Sequence, residues 1–105
     1  MAALTKVSDS DLIEKVKSFI GATGTFHDTN VSMLITDIKF YLVDAGTHEV
    51  AVNSNAAVGV ICRGVDDMWV SGPGTANLSK YFKERAAQLA LSYPKDEEIK
   101  HEEEA

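Results

Sequence analysis

A chain of 105 residues with 45% apolar, 25% charged and 8% aromatic residues has the composition of one ordinary globular domain, which excludes wholesale disorder and a second domain. Ten Lys and Arg against sixteen Asp and Glu, a net charge of −6, disfavour a bulk polyanion binder, because phosphate contacts need a basic face. One cysteine, Cys62, excludes an internal disulfide and a multi-cysteine zinc site, and the longest apolar run, Ala56 to Cys62, falls far short of the ~20 residues of a membrane span.

The elements follow in chain order. The opening string MAALTKVSDSD holds no apolar run of the secretory type, so a soluble intracellular protein is expected. Ser8 with Asp11 three residues on resembles a capping box, and Leu12, Ile13, Val16, Phe19 and Ile20 then fall at helical spacing before Gly21. This predicts a helix over 9–20. After the turn-rich GATGTFHDTN, Asp28 or Thr29 is placed to cap a second helix, about 29–45. Its stripe is Val31, Leu34, Ile35, Ile38, Tyr41, Leu42 and Ala45, closed by Gly46. Val50 and Val52 suit a short extended piece. Asn53 or Ser54 caps a third helix carrying Val58, Ile61, Val65 and Met68 at steps of three and four, with Trp69 beside them.

Gly59 and Gly64 lie inside this third helix, where each costs up to ~1 kcal/mol relative to Ala. That cost implies close approach of a neighbour, either another helix or another subunit. Trp69 follows Ile61 and Val65 at four-residue spacing and is expected to lie mostly in the core. The Ser-Gly-Pro-Gly run at 71–74 breaks the chain. A fourth helix opens at Leu78–Ser79, with Phe82, Ala86, Leu89 and Tyr93 on its stripe and Pro94 at its end. The fold class is therefore all-α: a small four-helix domain with short connections over 1–94, followed by an acidic tail. Residues 1–94 carry a net charge of −2 and residues 95–105 one of −4, with Ile99 the one strongly apolar side chain among the latter, so 95–105 is expected to be a frayed or flexible acidic tail.

The residues show no catalytic, cofactor-binding or metal-binding constellation. His27, His48 and His101 lack ligand spacing and are expected to be solvated. Cys62 is expected to be a small apolar filler, since Arg63 projects about 100° away around the helix. Asp66 and Asp67 are adjacent and share no face, so they read as a solvated or subunit-facing edge. A helix-turn-helix is disfavoured by the long gap between the second and third helices and by Asp66 and Asp67 on the would-be recognition helix. Lys80, Lys83 and Arg85 on the fourth helix are a better basic set, but Glu84 sits among them and the acidic tail follows. No enzyme is expected, and no cofactor.

Three strings carry a family resemblance: VSMLITDIKFYLVDAG (31–46), VNSNAAVGVICRGVDDMW (52–69) and the run from Gly-Pro-Gly through LSKYFKERAAQLAL (72–91). In their order they resemble the small head–tail connector (adaptor) proteins of tailed bacteriophages, over about residues 9–91. The features that carry it are Asp44-Ala45-Gly46, the Asn53-Ser54 cap, Arg63 and Gly64 on a helix ending near Trp69, and the Arg85-to-Leu89 string. The resemblance implies a helical, non-enzymatic protein of the virion neck, assembled in the host cytoplasm. It implies a ring, usually of twelve copies, beneath the portal protein, which extends the DNA channel and docks the stopper or tail-completion protein. Viral DNA then passes through without being read. Gly59, Arg63, Gly64, Trp69 and Arg85 become the candidate core or interface residues. The alternatives are a small soluble protein-binding adaptor and a helical DNA-binding regulator.

Overall fold

A computed structural model of the chain describes residues 4–72 and 77–98. The fold is all-α. Four main helices, α1 (Asp9–Ile20), α2 (Asp28–Asp44), α4 (Val58–Ser71) and α5 (Lys80–Ser92), are joined by a one-turn helix α3 (Glu49–Val52) and a 3₁₀ turn over Asn55–Ala57. α1 has the predicted bounds because both of its stop signals are local. Ser8 Oγ accepts the Asp11 amide at 3.2 Å, and Gly21 takes the left-handed conformation at φ 80° that a side chain disfavours.

The second helix starts one residue earlier than predicted and is not capped by Asp28 or Thr29. His27 stands at the cap position without a side-chain hydrogen bond, because the Asp28 carboxylate is turned to Lys17 at 2.8 Å. The expected extended piece at 50–52 is instead helical. His48 Nδ1 accepts the Val50 amide at 3.0 Å and starts a turn, and burial of Ala51 and Val52 outweighs the weak preference of valine for strands. Ser54, one of the two residues expected to cap the third helix, accepts the Ala56 amide at 3.1 Å and so caps the 3₁₀ turn that leads into α4, whose own cap residue Ala57 makes no side-chain bond; Ser79 caps α5, accepting the Phe82 amide at 3.1 Å.

α4 is the central helix and packs against α1, α2 and α5. Its inward residues Val60, Ile61, Cys62, Gly64, Val65 and Met68 meet Leu12 and Val16 of α1, Val31, Ile35, Ile38 and Leu42 of α2, and Phe82, Ala86 and Leu89 of α5 in one core. Each large apolar side chain buried there contributes roughly 1.5–3 kcal/mol. Phe82 is the largest of the fully buried side chains, and its ring lies 5.4 Å from that of Tyr41. Cys62 is buried, as expected of an apolar filler, and burial pushes its thiol pKa up against a weaker opposing pull from Lys15.

Two short backbone pairings fasten the ends of the described chain to the segment between α2 and α4. Near the start, Val7 donates to the Asn53 carbonyl at 3.0 Å, Asn55 to the Thr5 carbonyl at 2.8 Å, and Thr5 to Asn55 Oδ1 at 2.9 Å. After α5, His48 donates to the Tyr93 carbonyl at 2.7 Å and Lys95 to the Gly46 carbonyl at 3.0 Å. Bonded contacts thus run past Pro94 into the first residues of the acidic segment. The remainder of that segment, 99–105, lies outside the described residues, as do His101 and the Gly-Pro-Gly turn at Pro73 and Gly74.

Candidate functional site

The two helical glycines separate into different roles. A Cβ on Gly64 would stand 2.7 Å from both Ile38 Cδ1 and Phe82 Cε1, so its bare Cα lets α2 and α5 close onto α4. A Cβ on Gly59 would meet nothing within 4 Å. Its missing side chain leaves bare backbone on the surface and serves no contact among the described residues.

Gly59 begins an outward line along α4. At about 100° per residue, Gly59, Arg63, Asp66 and Val70 fall within a narrow sector opposite the core stripe of Ile61, Val65 and Met68. Val70 is 77% exposed. Arg63 is held along this line by both neighbouring helices. Its guanidinium lies 5.3 Å from the ring centroid of Phe19 on α1 and 5.8 Å from that of Tyr81 on α5. Asp66 Oδ2 accepts from it at 3.5 Å. Phe19 and Tyr81 are 47% and 55% exposed, and the Arg63 side chain 37%, so the group is presented to solvent and not sealed. Phe19 was placed on the core face of its helix by spacing alone. The structure turns it over Arg63, and Lys17 takes up buried space on α1 instead.

Arg85 is exposed one helical turn beyond Tyr81 and lines a shallow depression of about 160 Å³ with Val60, Gln88, Leu89 and Ser92. Arg63 and Arg85 therefore border one α4–α5 surface. Trp69 does not belong to it, and it is only partly buried where it was expected to lie mostly in the core. It sits at the edge of the core stripe, partly buried, with its ring edge-on to His27 at 5.0 Å; His27 in turn meets Phe26 at 4.8 Å. With Met33, Leu34, Asp37 and Met68 it borders an open groove of about 410 Å³ between α2 and α4.

Several working residues escape sequence reasoning. Asp67, read as an edge residue, accepts the Ser79 amide at 2.9 Å and the Ser79 hydroxyl at 2.7 Å, tying α4 to the start of α5. Lys17 is buried to 6% exposure and clasps the 21–27 turn: it reaches Asp28 at 2.8 Å, Glu14 at 3.5 Å and the Gly24 carbonyl. The hydrogen bond to Asp28 raises its pKa above 10.5, outweighing burial. His27 and His48, expected to be solvated, serve as a ring contact and a helix cap. Among the described residues, no group of three His, Cys, Asp or Glu side chains converges to hold a metal, and no helix is long and apolar enough to cross a membrane.

Compared with known proteins, the chain matches no family model, no curated protein and no solved structure.

Proposed function

We propose that this chain is a structural module of the tailed-phage neck, a head–tail connector that assembles as a ring beneath the portal protein. In that role the ring extends the DNA channel, offers its far side to the stopper or tail-completion protein, and lets the genome pass without reading its sequence. The observation that carries the reading is the division of labour on α4. This helix holds the 52–69 string of the family resemblance; it fills the core with one face and presents Gly59, Arg63 and Val70 on the other. An arginine between two half-exposed aromatic rings has the composition of an interface anchor.

The protein-binding adaptor is the second reading, favoured by the open α2–α4 groove beside Trp69. A DNA-binding regulator draws less support. Lys83 and Arg85 on α5 project about 160° apart, and Lys80 is paired to Glu84 at 3.9 Å. The deciding experiment mixes the purified chain with the portal protein of the same genome and images the product by electron microscopy. A ring of this chain coaxial with the portal is expected. Absence of any complex at tens of micromolar of both proteins would overturn the connector reading, and one copy bound without ring closure would favour the adaptor.

A further inference from the structure

We infer that the outward face of α4, between Phe19 and Tyr81, receives the acidic C-terminal segment of a second copy of this chain. The inference deepens the ring reading and rests on it. The floor of the face is the line Gly59, Arg63, Asp66 and Val70, bare of side chain at Gly59. Its walls are the two aromatic rings that flank the Arg63 guanidinium. Two further exposed cations border it: Lys15 lies one turn before Phe19 on α1, close enough to Cys62 of α4 to act on its thiol, and Arg85 lies one turn after Tyr81 on α5. Cations beside aromatic surface suit a partner that is acidic and carries a little apolar bulk.

The same chain supplies such a partner. Residues 95–105 hold −4 of the total −6, with Ile99 as the apolar member. Asp96, Glu97 and Glu98 are exposed. The seven residues that follow include Glu102, Glu103 and Glu104 and can reach about 24 Å when extended. Geometry favours a second copy over the segment's own body. The chain leaves α5 where Tyr93 and Lys95 bond to His48 and Gly46, the side on which Ala90 faces Gly46. Ala90 and Arg85 lie about 140° apart around α5, so residues 93–95, from which the segment starts, lie off their own Arg85 flank. Donor and acceptor surfaces then differ, and a contact of this head-to-tail kind propagates from copy to copy until a ring closes. Attraction between exposed charges is screened over a Debye length of about 8 Å at physiological salt, so the contact is salt-sensitive.

The test is intermolecular paramagnetic broadening in the full chain. Ala105→Cys places a nitroxide at the end of the segment; the native Cys62, buried and with its thiol pKa pushed up, is left unreacted. Spin-labelled chains without ¹⁵N are mixed at millimolar total concentration with ¹⁵N chains that carry no label. The amide signals of Gly59, Arg63, Tyr81 and Arg85 in the ¹⁵N chains are expected to lose at least half their intensity. The loss should vanish in 0.5 M NaCl, and also when the ¹⁵N chain carries Arg63→Glu or, as a variant at a fully surface position, Arg85→Glu. Unchanged intensities on this face or broadening centred elsewhere would each overturn the inference, as would a second sample, in which the ¹⁵N chain itself carries the label and is diluted to tens of micromolar, that broadens this face as strongly as the mixture does. Portal imaging keeps the two readings distinct: rings on the portal without this broadening sink the tail contact alone, whereas broadening without portal rings sinks the connector.

Discussion

Replacing each helical glycine of α4 by alanine should move stability in opposite directions. At Gly64 the new methyl carbon would lie 2.7 Å from Ile38 Cδ1, 2.7 Å from Phe82 Cε1 and 3.1 Å from Ile38 Cγ1. Ordinary contact begins near 3.5 Å, and Ile38 and Phe82 are 1% and 0% exposed, so neither side chain can swing into solvent. Forcing a methyl into such a site costs about 1–3 kcal/mol, against which alanine returns up to ~1 kcal/mol of helix propensity. Because two buried groups must yield together, the upper part of that range applies, leaving a net loss of about 1–2 kcal/mol. At Gly59 nothing stands within 4 Å, so the propensity gain is unopposed, about 0.5–1 kcal/mol. The two variants should therefore melt about 10 °C apart, at roughly 4–8 °C per kcal/mol for a domain of this size. Thermal melts followed by circular dichroism at 222 nm, checked by urea titration with an unchanged slope, measure the difference. A Gly64→Ala variant melting at or above Gly59→Ala would refute the close-packing argument.

Three further outcomes are expected. Thr47 is fully buried and its hydroxyl has no hydrogen-bond partner among the described residues, so Thr47→Val, which keeps the shape, should raise stability by about 1 kcal/mol; a lower urea midpoint would contradict this. Lys17→Met should lower the melting temperature by stranding Asp28 and freeing the 21–27 turn. The folded-state pKa of Lys17 is raised, so its contribution is complete below pH 10.5 and fades as pH climbs through the higher folded value; the gap between wild type and variant should narrow only in that alkaline range, and a gap that closes near neutrality would refute the assignment. A chain ended after Glu98 should melt within about two degrees of the full chain, since surface changes typically stay within ~0.5 kcal/mol. One ended after Tyr93 also loses the Lys95 bond to Gly46 and should fall further, by about 1 kcal/mol; equal melting of the two would show that the 93–95 pairing contributes nothing.

Local signals were legible and non-local ones were not. Ser8, Ser54 and Ser79 cap where they stand, and Gly21 stops α1, because a cap is a bargain between residues two to four apart. The helical stripes predicted most of the core for the same reason. α3 was missed because two valines argue for strand, while the turn is started by a histidine, an unusual cap, and kept by burial of Ala51 and Val52. The cost of a glycine in a helix flagged Gly64 and Gly59 equally; only the placement of α2 and α5 tells the packed glycine from the bare one. The Arg63 group joins residues from three helices, and the Lys17 clasp pairs α1 with the start of α2. No spacing rule connects such positions. Spacing of four placed Trp69 on the core stripe, although α4 carries it to the edge, where the three-step residue Met68 takes the interior.

The fastening of both chain ends to residues 46–55 has a mechanical consequence. A pull applied through the two ends reaches that short stretch, with its one-turn helix α3, before any of the four main helices, because Val7 and Asn55 hold one side of it and Tyr93 and Lys95 the other. The load then passes from one end of the polypeptide to the other across a handful of backbone hydrogen bonds, bypassing the apolar interior around Phe82 and Ile38. Tension between neighbours tethered by their termini would be carried by this buckle, which can open and reclose while the helical body stays shut.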